Sequence, residues 1–123
     1  MIGKIYSSVV PFYDIKSGKN SFKSRPVLIL SGPRNNDYTV LPISSVTKKQ
    51  NLDSEYDIEL NPQTYPNLNL QKICYVRVHK QTTVHMASLN REISNLKDEY
   101  ENLYLSILSK LDEYNKFILE NAL

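Results

Sequence analysis

The chain has 123 residues, 41% hydrophobic and 23% charged, a size and balance that suit one soluble domain with one core. The longest unbroken apolar run is Val27 to Leu30, too short to span a membrane, the N-terminal stretch lacks the apolar centre of a signal peptide, and Cys74 has no partner for an internal disulfide. The formal net charge of +2 is uneven: residues 1–50 carry +6, residues 51–90 carry −1 and residues 91–123 carry −3, which suits a polyanionic partner at the basic half or an unevenly charged surface. The expectation is a cytoplasmic protein built as one domain over residues 1–123.

Gly3 to Val10 reads as a first strand with Ile5 and Val9 on one face, ended by Pro11. Residues 12–24 are polar and basic and read as a long loop. Its lysines suit a phosphate backbone, or simply a solvated loop. Arg25-Pro26 then leads into the aliphatic run Val27 to Leu30. A turn cluster from Ser31 to Asp37 separates it from a second apolar run, Tyr38 to Ile43, which stops at Ser44-Ser45. If the two runs pair antiparallel, the start of the first lies beside the end of the second. Arg25 then neighbours the hydroxyls of Ser44 and Ser45, an arrangement suited to a phosphate-bearing ligand.

A second polar loop follows over residues 46–52, with Lys48 and Lys49. Residues 53–60 (DSEYDIEL) alternate strictly, with four carboxylates on one strand face and Tyr56, Ile58 and Leu60 on the other. A row at strand spacing does not converge on a cation, so a solvent face over a buried face is expected. Residues 62–69 are turn-rich, residues 73–78 and 81–86 read as strands, and residues 87–93 suggest one helical turn capped by Ser88. From Leu96 to Ile118, apolar residues recur at helical spacing, with Asp98, Glu99 and Glu101 at the start and Asn95 or Lys97 at the cap. The predicted architecture is mainly β with a C-terminal α-helix, a small SH3-like curled sheet or barrel with the helix packed on it.

No P-loop, dinucleotide-binding glycine pattern, nucleophile elbow or zinc-type Cys/His cluster is present in the sequence, and no cofactor or metal is implied. Two histidines, His79 and His85, lie six residues apart, roughly 20 Å along one strand, so both cannot serve one phosphate without a bend between them. Cys74 sits in an apolar run and reads as a buried filler.

Arg25-Pro26-Val27-Leu28, Pro42-Ile43-Ser44-Ser45, Thr83-Val84 and the C-terminal helix, with Gly3 near the start, follow one another in an order that resembles the MazF/PemK family of toxin–antitoxin endoribonucleases. The resemblance implies a metal-independent enzyme that cuts single-stranded RNA to 2′,3′-cyclic phosphate and 5′-hydroxyl ends. It assigns the family arginine to Arg25 and the family threonine to Ser44, where this chain keeps the hydroxyl and loses the methyl. It also departs where family members often carry Glu-Gln and this chain has His79-Lys80, so base preference is expected to differ. The resemblance implies a homodimer, an acidic cognate antitoxin and operator DNA reached through that antitoxin. RNA is expected between the two loops, with Tyr13 and Phe22 stacking bases, Lys19, Lys23, Ser45 and Lys48 at the backbone, and His79 at the RNA as candidate general base. The rival is a non-catalytic SH3-like module that binds nucleic acid or protein.

Overall fold

The computed structural model describes residues 1–9 and 14–123 with their side chains, and residues 10–13 are left aside. Seven strands form one curled antiparallel sheet: β1 (Lys4–Asp14), β2 (Lys19–Arg34), β3 (Asp37–Ser44), β4 (Asp57–Leu60), β5 (Cys74–Arg77), β6 (Thr82–His85) and β7 (Leu89–Asn95). The strand order is β4-β5-β3-β2-β1-β7, and β6 also pairs with β3. β3 serves both arms of the curl: Asp37 to Val40 pair with β6, and Ile43 and Ser44 pair with β5. The short helix α1 (Leu96–Glu99) and the long α2 (Glu101–Ala122) close the chain.

The expected loop over residues 12–24 is instead a hairpin. Asp14 faces Lys19 across a short turn in which Gly18 donates its amide to the Asp14 carbonyl at 2.8 Å. Gly18 has φ +69, a left-handed conformation that glycine adopts at no steric cost. Pro11, the expected end of the first strand, falls outside the described residues. Ile5 is fully buried but Val9 is 40% exposed, so the two do not share a buried face. The pairing of β1 with β7 slips between Ile5 and Tyr6 and again between Ser7 and Ser8, which breaks the two-residue alternation.

β2 runs on to Arg34, and the turn before β3 shrinks to Asn35-Asn36, with φ of 50° and 67°. Both central residues at positive φ make a two-residue turn whose twist matches the strands, and asparagine tolerates that conformation. The alternating 53–60 segment becomes a strand only from Asp57. Asp53 accepts the amides of Glu55 (2.9 Å) and Tyr56 (3.0 Å) on Oδ1, which bends the chain into a turn and breaks the carboxylate row. The helical turn expected over residues 87–93 is a 3₁₀ turn at residues 86–88, capped by His85 rather than Ser88, and β7 follows at once.

Two apolar clusters sandwich the sheet. Ile5, Leu28, Leu41, Ile43, Val76 and Val78 pack under Leu96, Leu103, Tyr104 and Ile107 of the helices. Val27, Ile29, Tyr38 and Val40 make a smaller cluster on the other face with Tyr6, Val84 and Leu89. Asn95 caps α1 by accepting the Asp98 amide at 3.1 Å. The helix breaks at Tyr100, whose hydroxyl accepts the Asn67 amide at 3.0 Å and whose ring meets Tyr65 edge-on, so this side chain pins the 65–67 segment. The expected stripe continues past Leu111 to Tyr114, which is half-buried and meets the Tyr56 ring edge-on at 4.8 Å, and fails at Ile118, which is exposed. Gly3 lets β1 approach the helix start. Its φ is +85, a Cβ there would lie 2.4 Å from Lys97 Cβ, and its carbonyl accepts the Lys97 amide at 3.0 Å.

Candidate functional site

The site is built where β3 stops and β2 continues. The ladder between them runs to Val27↔Pro42. Two residues further along each strand, the same face carries Arg25 and Ser44. Lys23, Ser24, Arg25, Pro26, Ser44, Ser45, Lys72 and Cys74 all line one groove of about 280 Å³ there. Arg25 is exposed, and its side chain has no hydrogen-bond or ion-pair partner among the described residues. A guanidinium held on a strand with no carboxylate beside it presents a fork of donors to an incoming anion. Lys23 and Lys72 add two further cations to the rim. Nearby, burial pushes the Cys74 thiol pKa up and the Lys72 ammonium offsets part of that rise. The buried thiol is therefore kept neutral, as expected for a filler.

Arg25 also lines a second hollow, of about 320 Å³, with Thr82, Thr83, Val84, His85 and Ser88. His85 has its Nδ1 engaged as acceptor from the Ala87 amide at 3.0 Å. In the neutral ring that puts the proton on Nε2 and makes His85 a hydrogen-bond donor. Arg25 thus stands on the ridge between a hydroxyl-and-lysine groove and a threonine-and-histidine hollow.

The other expected site residues fall elsewhere. His79 is not beside Arg25. Its Nδ1 is buried, 3.7 Å from Asp57 Oδ1, and the chain turns through residues 78–80 between β5 and β6, so the two histidines end in different places. Asp57 is the anchor of that second cluster. Its carboxylate, 1% exposed, accepts Arg77 Nε at 3.0 Å, Arg77 Nη2 at 3.2 Å and the Asp53 amide at 2.8 Å. Arg77 Nη2 also donates to the Asn51 carbonyl at 2.9 Å, which ties down the loop that leaves Ser45. Burial is the largest influence on Asp53 and raises its pKa, but the Tyr56 and Glu55 amides, with His79 and Arg77, outweigh it and the net shift is downward.

Lys19 starts β2 at the hairpin turn, and Phe22 is 71% exposed on the same strand. Lys48 is exposed just before a 3₁₀ turn at residues 49–51. None of the three lines the Arg25 groove, whereas Lys23 and Ser45 do. Tyr13 lies outside the described residues. Sequence reasoning missed Lys72, which precedes β5 in a turn-rich stretch, and His85, which ends β6 and lines the hollow shared with Arg25. Among the described residues, no three His, Cys, Asp or Glu side chains converge to hold a metal ion.

Mostly β structure, curled into a half-barrel with a C-terminal helix, is the MazF-like fold. The solved structure of Mycobacterium tuberculosis toxin MazF-mt6 is similar in fold, with a TM-score of 0.55 and 20% identity over 89% of this chain and 96% of that one. A comparison with curated protein sequences finds no match. Residues 3–111 match the family described as PemK-like, MazF-like toxin of type II toxin-antitoxin system, and the chain belongs to that family. The matched span includes every residue of the Arg25 groove and ends within α2.

Proposed function

We propose that this toxin is an endoribonuclease that cuts single-stranded RNA at the Arg25–Ser44 groove without a metal ion. The observation that carries the reading is the uncompensated Arg25 sharing one groove with Ser44 in a chain of the toxin family. In the reaction the ribose 2′-oxygen attacks the adjacent phosphorus. The new P–O2′ bond forms as the P–O5′ bond breaks, the 2′-hydroxyl proton passes to water and the leaving O5′ takes a proton from water. The products are a 2′,3′-cyclic phosphate and a 5′-hydroxyl.

Charge gathers on the non-bridging phosphoryl oxygens in the transition state. Arg25 answers it with two donors from a fixed strand position, and Ser44 with one. Removing such a donor costs about 3–4 kcal/mol of transition-state stabilisation in comparable sites. Arginine holds its proton too tightly to serve as an easy base. His85, with its Nε2 proton, is a further donor on the opposite flank of Arg25. His79, whose Nδ1 is buried 3.7 Å from Asp57, does not line the Arg25 groove and is dropped as the general base.

The same reading includes an acidic antitoxin covering the basic rim of Lys23, Arg25 and Lys72, a homodimer, and operator DNA reached through the antitoxin. The function is tested by incubating the purified protein with long single-stranded RNA in EDTA and mapping the ends. Discrete cuts with cyclic-phosphate termini support it. Salt-sensitive binding with intact RNA moves the protein to a binding module.

A further inference from the structure

Beside the groove stands a tyrosine that the fold does not use. Every other described tyrosine packs in one of the two apolar clusters or against another ring. Tyr75 lies outside both clusters, is half-buried, and has no hydrogen-bond or ring partner among the described residues. A tyrosine hydroxyl both donates and accepts, so this one is open to a ligand. Burial alternates along β5: Cys74 and Val76 belong to the cluster under the helices, and Tyr75 turns to the other face. We infer that Tyr75 is a further catalytic residue, whose hydroxyl donates to a non-bridging oxygen of the phosphate held at Arg25 and Ser44. The inference rests on the RNA-cleaving reading above and adds a third side chain to the phosphate site.

The register puts the three side chains in one row. Ser44 and Tyr75 stand directly opposite each other in the β3–β5 ladder. Side chains so paired share a face, with Cβ atoms about 4.5–5.5 Å apart. Arg25 occupies the same face on the other side of Ser44, two residues beyond the Val27↔Pro42 pair. The row therefore runs from Arg25 on β2 through Ser44 on β3 to Tyr75 on β5, at about 4.8 Å per strand. The shortest side chain is in the middle and the two long ones flank it. A phosphate seated over Ser44 is then met by the guanidinium from one side and by the phenol from the other. Ser44 carries no γ-methyl, so its own side chain leaves the space towards Tyr75 open.

The next residue in the row is Glu59, opposite Tyr75 in the β4–β5 ladder and exposed. Its charge repels a phosphate, which keeps the phosphate to the Ser44 side of the ring. No proton leaves Tyr75: the phenol donates a hydrogen bond, and the bonds made and broken are those given above. That hydrogen bond strengthens as charge gathers on the oxygen in the transition state, so its loss is read in the rate of cleavage rather than in binding.

The test is single-turnover cleavage of long single-stranded RNA in EDTA by the wild type, Tyr75→Phe and Tyr75→Ala. Binding is measured on an uncleavable 2′-O-methyl oligoribonucleotide copied from a mapped cut. Tyr75→Phe is expected to slow cleavage by about tenfold to a hundredfold and to bind the uncleavable RNA as the wild type does. Its unfolding midpoint is expected to stay unchanged, since the hydroxyl has no partner among the described residues. Sulfur, a weak hydrogen-bond acceptor, in place of one non-bridging oxygen at the cut is expected to slow the wild type, for one stereoisomer, more than it slows Tyr75→Phe. Cleavage by Tyr75→Phe at the wild-type rate would overturn the inference and leave the cleavage reading standing. So would a loss confined to Tyr75→Ala, which would make the ring a stacking surface. If the wild type cuts no RNA, the cleavage reading falls and the inference falls with it.

Discussion

Replacing Asp57 with alanine is expected to destabilise the protein severely and to release the loop next to the site. The carboxylate is 1% exposed and the Arg77 side chain 12% exposed. Deleting the carboxylate leaves a nearly buried guanidinium with two of its donors unanswered and strands the Asp53 amide, which Asp57 Oδ2 accepts at 2.8 Å. Breaking such a pair by removing one partner costs about 3–5 kcal/mol, because the remaining charge stays buried. For a chain of this size that lowers the thermal midpoint by about 12–20 °C. Urea unfolding followed by circular dichroism measures the loss. The double variant Asp57→Ala/Arg77→Met is expected to recover part of it, since it removes the stranded charge. A loss below about 1 kcal/mol for Asp57→Ala would refute the reasoning, since it would mean that Arg77 finds water or another acceptor as good as the buried carboxylate. Arg77 also holds the Asn51 carbonyl, so amides of residues 46–52 are expected to exchange faster in the variant.

Gly3→Ala is expected to cost about 2 kcal/mol or more in the same unfolding assay, from the positive φ and from the new methyl against Lys97 Cβ. Cys74 is expected to react with iodoacetamide at mildly alkaline pH at least about tenfold more slowly than the unfolded chain, because burial holds its thiol neutral. The sign follows from the raised pKa. Its contribution to stability is full below the free-thiol pKa and is lost as pH rises through the folded value. Asp53 runs the other way: its lowered pKa contributes stability above the ordinary carboxylate range, lost as pH falls through the folded value. Asp53→Ala is therefore expected to flatten the acid limb of a stability-versus-pH curve.

The centre of the sheet and the helix were legible in the sequence because their patterns report burial directly. Val27 to Leu30 and Tyr38 to Ile43 are apolar because both faces of those strands are covered by the two clusters. Their antiparallel pairing was enough to bring Arg25 to Ser44. The distal hairpin was not legible. The β2 segment from Lys19 to Arg25 is exposed at almost every position, so it carries no alternation, and only pairing with β1 makes it a strand. The carboxylate row over residues 53–60 misled because the Asp53 side chain accepts the amides two and three residues on and Asp57 turns inward to Arg77. His79 and His85 show the same limit at the site. Residue spacing cannot say that a turn at residues 78–80 sends one histidine to Asp57 and brings the other beside Arg25. The stripe on α2 was right as far as Tyr114, which packs on Tyr56, and failed at Ile118, in the exposed last turns of the helix.

The most direct measurement is the cleavage of long single-stranded RNA in EDTA by the wild-type protein and by Arg25→Ala, with product ends mapped. Arg25 makes no ion pair among the described residues, so its removal is expected to leave the unfolding midpoint unchanged while cleavage falls by about a hundredfold to a thousandfold. Discrete cuts with 2′,3′-cyclic phosphate and 5′-hydroxyl ends, lost in the folded variant, are the predicted result. Cleavage by a folded Arg25→Ala protein at the wild-type rate would contradict the account.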